Sequence, residues 1–275
     1  MEIKEITIVP KSSQSLLNIS EIWRFRELFF VFVWRDLKVR YKQTILGILW
    51  VIFQPLVTML IFTVLFGNVA KIPSGNLPYT LFVLCGIVYW SFYSTALSES
   101  IDSIIGNQSI IKKIYFPKII LIIASVITRF VDFLINFAIL LIVAVFLGYI
   151  PHLWSVIPFL LALLISSTLA AGLGLILSSL NVKFRDVRYI LPFFIQISFY
   201  VTPVVYPMAI LSERNRFIMS FNPMAIVIEL VRWPFSGTTV ITLSQIVFAI
   251  FFAFVVFIIG LWYFNKTQQY FADIV

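Results

Sequence analysis

The sequence predicts an all-α membrane protein with six transmembrane helices, an N-terminal amphipathic helix lying in the interface, and a re-entrant outer hairpin between spans five and six. Three observations carry this. Of 275 residues, 61% are hydrophobic and 12% charged, against roughly half apolar and a quarter charged in soluble domains. The apolar residues fall in long continuous runs, and Lys and Arg crowd into alternate loops. A water-soluble fold of this length could not hide so much apolar surface. In hydrocarbon every backbone N–H and C=O must be bonded internally, which leaves helices or a closed barrel, and runs of this length select helices.

The chain divides into a cytoplasmic N-terminus over 1–44, a six-helix transmembrane domain over 45–264 and a cytoplasmic tail over 265–275. The first 44 residues hold many charges and no short apolar core ending in a small-residue cleavage site, so the first span is expected to direct insertion. Within them, 20–44 mixes Ile22, Phe25, Leu28, Phe29, Phe32 and Val33 with Arg24, Glu27, Arg35, Asp36, Lys38 and Arg40, the composition of a helix lying in the membrane surface. A bilayer core needs about 20 apolar residues per helix. Six segments qualify: 45–66, 78–100, 119–148, 155–180, 187–206 and 240–264. The third is long enough to tilt or break. The fifth carries Pro192 and Pro203, each of which removes a helix donor. Between the fifth and sixth, 207–239 includes Pro223 and Pro234 and holds only short apolar pieces, around Ile218 and over Met224–Val231; such pieces suit a re-entrant hairpin buried by protein.

Basic residues resist translocation. Lys4, Lys11, Arg24, Arg26, Arg35, Lys38, Arg40, Lys42, Lys112, Lys113, Lys118, Lys183, Arg185, Arg188 and Lys266 fall on one side of the six-span topology, against Lys71, Arg214, Arg216 and Arg232 on the other. Both termini are therefore expected in the cytoplasm. The formal charge of +8 needs no nucleic acid as partner, because anionic lipid headgroups suffice.

Groups that carry chemistry are sparse. Cys85, the single thiol, lies in an apolar run, which excludes an intramolecular disulfide and a zinc cluster. No phosphate-binding Gly-rich loop, dinucleotide fingerprint or His-Glu zinc motif occurs, so this chain is not expected to hydrolyse ATP or to hold a metal. His152, the lone histidine, stands beside Pro151 in a short loop and receives no role. Arg129 and Asp132 are three residues apart inside the third span; on a helix they share a face and form an intramembrane ion pair, either a structural clamp or a proton relay. Glu99 and Asp102 sit at the inner end of the second span and are expected to reach water. Glu229 has Arg232 one turn away.

Aromatic residues make up 17% of the chain, with 29 Phe. Clusters inside spans are the candidate channel lining: Trp50 and Phe53 in the first, Tyr89, Trp90, Phe92 and Tyr93 in the second, Phe193, Phe194, Phe199 and Tyr200 in the fifth. A ring offers a flat apolar face plus, in Tyr and Trp, a hydrogen-bonding edge, which suits the mixed C–H and hydroxyl surface of a sugar. The competing reading is that Trp and Tyr mark the membrane interface.

The run Trp34-Arg35-Asp36-Leu37-Lys38-Val39-Arg40-Tyr41-Lys42-Gln43-Thr44-Ile45-Leu46-Gly47-Ile48-Leu49-Trp50, followed by Gln54-Pro55, resembles the entry to the first span in type-2 ABC permeases of the polysaccharide export family. Lys113-Ile114-Tyr115-Phe116-Pro117-Lys118 looks like that family's cytoplasmic loop after the second span. Asn181-Val182-Lys183-Phe184-Arg185-Asp186-Val187-Arg188 looks like the loop before its fifth, and Asn222-Pro223-Met224 fits its outer segment. The resemblance implies a homodimer of six-span subunits joined to two copies of a separate ABC ATPase in a bacterial inner membrane, exporting lipid-linked O-antigen, capsule or teichoic acid. It further implies that Leu46 and Gly47 form the entry turn. Lys112, Lys113, Tyr115, Phe116, Pro117 and Lys118 would be the main ATPase-coupling segment, with Lys183, Arg185 and Arg188 as a second contact. Rival classes are an ABC permease for lipids or drugs, an ion-coupled secondary transporter, which would show corresponding halves, and a membrane-embedded transferase, which would need clustered carboxylates or His.

Overall fold

In the computed structural model, residues 19–42, 47–184, 186–268 and 271 are described, and all of their regular structure is helical. Two helices, α1 (Ile19–Arg24) and α2 (Arg26–Lys42), precede α3 (Gly47–Phe62), which runs on through a π-helical turn, Thr63–Val69. Then come α4 (Tyr79–Gly106), the single turn α5 (Gln108–Ile111), α6 (Ile119–Phe146), α7 (Val156–Lys183), α8 (Val187–Val201), α9 (Glu213–Met219), α10 (Pro223–Ser236) and α11 (Leu243–Thr267). Among the described residues, five helical segments are long and apolar enough to cross a membrane: Gly47–Val69, Tyr79–Gly106, Ile119–Phe146, Leu153–Lys183 and Leu243–Thr267.

The segment expected as the fifth span, 187–206, is where observation and expectation part. Its helix stops at Val201 after 15 residues, about 22 Å of rise against a hydrocarbon core of roughly 30 Å. Pro203 is the cause. The residue before a proline is driven from helical to extended backbone, and Thr202 adopts φ −74°, ψ 139°. The third span does not break: α6 is one helix of 28 residues, closed by Gly148 at φ 83°, a left-handed conformation that glycine adopts without steric cost. The sixth begins on a capping box, in which Thr242 and Gln245 each bond the other's backbone N–H.

α4 is the hub. Its residues are buried for most of its length, packed by α6, α7, α10, α3 and α8. α7 lies between α4 and α11, and glycines set the spacing. A Cβ on Gly172 would stand 2.7 Å from Phe257 backbone, one on Gly260 2.5 Å from the Gly172 carbonyl, and one on Gly174 2.6 Å from Ser100 Cβ. Lipid tails are as apolar as Leu, so helices in a bilayer associate through such close small-residue contacts. α10 is buried on nearly every side between α4 and α7. One helix end is tied down by a long-range cation: Arg232 of α10 donates to the Pro203 and Val204 carbonyls at 2.9 and 2.7 Å and to the Phe82 carbonyl at 3.3 Å. Carbonyls around the break after α8 thus find partners inside protein.

Candidate functional site

A cavity of about 400 Å³ opens between α4, α8 and the middle of α6. Residues of α4 separated by three and four positions line one wall: Trp90, Ser94, Thr95, Ser98 and Glu99. α8 supplies the other through Pro192, Ile195, Gln196, Phe199 and Tyr200, and Arg129 closes the floor. A second, mostly apolar cavity of about 370 Å³ lies on the far side of Trp90, bounded by Tyr93, Leu173, Met224 and Phe252 among others. Trp90 is the wall common to both.

Aromatic rings connect three helices here. Phe66 stacks on Phe62, Phe62 on Phe199 at 5.7 Å and 27°, and Phe199 meets the Trp90 ring edge-on at 5.7 Å. Trp90 continues to Tyr93, and Phe199 to Tyr200. Of the ten aromatic residues singled out in the sequence, Trp90, Tyr93, Phe199 and Tyr200 line cavities. Tyr89 and Phe92 turn the opposite way, their rings against Phe133 at 5.0 and 5.1 Å, and the Tyr89 hydroxyl donates to the Phe159 carbonyl. Trp50 with Phe53, and Phe193 with Phe194, are exposed on the outside of α3 and α8 and line neither cavity. Phe62 and Phe66, which join α3 to the array, were not singled out; no sequence signal separates them from the other Phe of that span.

The cavity floor is ionic. Arg129 pairs with Glu99, and its Nη1 is 3.0 Å from Asp132 Oδ2. Arg40, at the end of α2, places Nη2 2.9 Å from the same Asp132 oxygen and Nη1 3.6 Å from Glu99. The Tyr41 hydroxyl donates to Asp132 Oδ1. Burial first, and then this hydrogen bond, push the Tyr41 phenol above its ordinary value, which keeps it a donor. Two guanidiniums against two carboxylates make the cluster internally neutral. The sequence spacing pointed to Arg129 and Asp132; Arg40, Tyr41 and Glu99 come from two other helices. Glu99 therefore meets two cations rather than water alone. Asp102 faces Arg188 at 3.6 Å, and Glu229 meets Arg232 at 3.0 Å.

At the end of the bundle where α2, the 107–118 segment and the end of α11 converge, the basic loop is partly packed. Lys112, Lys113 and Tyr115 are exposed, the last 74% so, and Pro117 is half-buried. The Tyr115 hydroxyl donates to Glu21 at 3.0 Å. Phe116, in contrast, is only 3% exposed, its ring 5.5 Å from Phe32 of α2. Lys118 donates to the Gln268 carbonyl and lies over the Phe271 ring. Arg35 of α2 reaches Asn107 at 2.7 Å. Lys183 is exposed with its Nζ over the Phe184 ring. Gly47 opens α3; Leu46 and Arg185 lie outside the described residues.

Membrane-length helices around a cavity of rings, hydroxyls and one ion cluster define a polytopic α-helical membrane protein whose polar interior lies between its spans. The chain belongs to the ABC-2 type transporter family, whose pattern matches residues 27–236. It is 30% identical, over 90% of its length and 95% of the relative's, to an O-antigen export system permease protein RfbA of Klebsiella pneumoniae. A protein of the same name from Myxococcus xanthus is 30% identical over 75% of this chain and 79% of that one. The polysialic acid transport protein KpsM of Escherichia coli is 21% identical over 72% and 77%.

Proposed function

We propose that this chain is the membrane-spanning permease subunit of an ATP-driven exporter that moves lipid-linked polysaccharide of the O-antigen or capsule type from the cytoplasm to the outer side of the bacterial inner membrane. The observation that carries the reading is the α4–α8 cavity, which sets the rings of Trp90, Phe199 and Tyr200 beside the hydroxyls of Ser94, Thr95 and Ser98, a combination that suits the mixed C–H and hydroxyl surface of a sugar. Membership of the ABC-2 family and the names of the relatives support the same substrate class.

In this proposal two copies of the chain pair, and each binds one copy of a separate ATPase that holds ATP and Mg. α8 counts as a short fifth span, giving six, with both termini cytoplasmic. α2 lies in the membrane surface, and α9 with α10 forms the outer re-entrant hairpin. Trp50, Phe53, Phe193 and Phe194, exposed on the single chain, line a conduit completed by the second copy. The exposed basic residues Lys112, Lys113 and Lys183, with Tyr115, meet the ATPase. Nucleotide-driven closure shifts these loops and opens the conduit through contacts that differ between the two states.

The test is a deletion strain, with and without a complementing copy, in which surface polysaccharide and cytoplasmic lipid-linked glycan are both quantified. Polymer trapped inside and missing outside supports the proposal. Unchanged surface glycan refutes it and moves the substrate towards lipids or drugs; export that survives loss of the ATPase but collapses with the proton gradient points to an ion-coupled carrier.

A further inference from the structure

We infer that α8 is a strap that pivots on the segment just beyond Val201 and is fastened at its other end by the Asp102–Arg188 ion pair, so that release of this pair swings α8 away from α4 and opens the space between them towards the cytoplasm. The inference rests on the proposed export function and its topology. Asp102 stands one turn beyond the lining residues Ser98 and Glu99 on α4, and Arg188 one turn before Pro192 on α8, so the pair bridges the two helices past that end of the cavity.

The two ends of α8 are held by unlike forces. Beyond Val201 the chain is buried over Thr202, Pro203, Val204 and Val205, and three side chains from elsewhere in the fold bond it. Arg232 donates to the Pro203 and Val204 carbonyls, the Tyr79 hydroxyl to the Val205 carbonyl at 2.5 Å, and the Asn222 amide to the Thr202 hydroxyl at 3.0 Å. Val204 also lies against Gly86 of α4, where a Cβ would come within 3.0 Å of the Val204 carbonyl oxygen. Breaking such bonds strands buried donors and acceptors without water to replace the partner, so this end stays in place.

The Arg188 end is held lightly. Arg188 Nε is 3.6 Å from Asp102 Oδ1, and the two side chains are 61% and 51% exposed; exposed pairs contribute little and are screened by salt. Asp186, Tyr189 and Ile190 are exposed as well, and Pro192 has no N–H to give the Arg188 carbonyl one turn back. Leu191 is the one buried residue of the helix. The ring contacts of Phe199 with Phe62 and Trp90 fall in its last turn, beside the anchored end, while Pro192, Ile195 and Gln196 back onto cavity. A helix fixed at one end and weakly fastened at the other moves as a rigid unit about a few residues at its terminus, here the extended Thr202 before Pro203.

The experiment puts spin labels on the full Cys85→Ala chain in lipid nanodiscs, with labelled chain diluted by unlabelled so that distances are read within one copy. Ile190→Cys with Gly106→Cys reports the Arg188 end, and Ile210→Cys with Asn76→Cys the outer end, all at exposed positions. Arg188→Gln, Asp102→Asn and a rise to about 1 M salt should each lengthen and broaden the first distance by several ångströms and leave the second unchanged, and the exchange Asp102→Arg with Arg188→Asp should restore the parent distance. In cells, Asp102→Cys with Arg188→Cys is bridged by a membrane-permeant bis-methanethiosulfonate linker; appearance of new surface glycan should stop and then resume when reductant cleaves the linker. A first distance that neither substitution nor salt alters overturns the fastening, and a second distance that changes as much as the first overturns the pivot. Undiminished export from the bridged chain overturns the opening as a step in transport. Unchanged surface glycan in the deletion strain overturns the export reading and leaves the spin-label distances to decide the strap, so the two failures are told apart.

Discussion

Replacing Arg232 with methionine removes the cation that joins α10 to α4 and to the break after α8. Arg232 is 3% exposed, its Nη1 is 3.0 Å from Glu229, and its Cζ lies 3.5 Å from the Phe82 ring centroid. Methionine fills part of the volume but leaves the Glu229 carboxylate without its buried partner and the carbonyls of Pro203 and Val204 without a donor. Breaking a buried pair from one side costs about 3–5 kcal/mol, because the surviving charge keeps its desolvation penalty. For a chain of this size that is a fall of roughly 10 °C in the unfolding midpoint. Cys85, the single thiol and fully buried in α4, makes the assay simple: a thiol-reactive fluorophore reports its exposure as purified protein is heated in detergent. The double variant Glu229→Leu with Arg232→Met, which removes both charges, should recover a large part of the loss. A midpoint for Arg232→Met within a degree or two of the parent would refute the reasoning, as would a double variant less stable than the single one by the full cost of Glu229→Leu.

Gly172→Leu forces a side chain into the α11 backbone and should cost at least the 1–3 kcal/mol typical of overpacking, seen in the same thiol assay as a lower midpoint. Asp132→Asn deprives Arg40, Arg129 and Tyr41 of a shared carboxylate; α2 should loosen from α6, read as faster hydrogen exchange over Arg26–Lys42 with α7 and α11 unchanged. Phe116→Ala empties a buried contact with Phe32 and should destabilise the protein by about 3–5 kcal/mol. Tyr115→Ala changes an exposed residue; it should leave the unfolding midpoint within a few degrees while lowering export of surface glycan, and normal export from that variant removes Tyr115 from the proposed coupling contact.

The contrast between Phe116 and Tyr115 shows where reading the chain as a string stops. Neighbours in one motif, they resemble the same family segment, yet only packing tells that Phe116 holds α2 while Tyr115 faces outward. A blanket alanine replacement of Tyr115, Phe116 and Pro117 would therefore confound coupling with folding.

What the sequence determined by itself was whatever local composition controls. Helical secondary structure, five membrane-length spans close to their expected ends and the proximity of Arg129 to Asp132 all depend on residues within a few turns of one another. Tertiary structure decided the rest. It turned Trp90 to a cavity and its neighbour Tyr89 into the core, gave the carbonyls beyond the end of α8 a buried partner in Arg232, and brought Arg40 and Tyr41 to a carboxylate some ninety residues away. The physical reason is that lipid and protein core are equally apolar, so a membrane helix carries little hydrophobic periodicity to say which face meets a neighbour. Helix orientation then rests on close packing, ring contacts and buried charges between distant segments, and these exist only once the chain is folded.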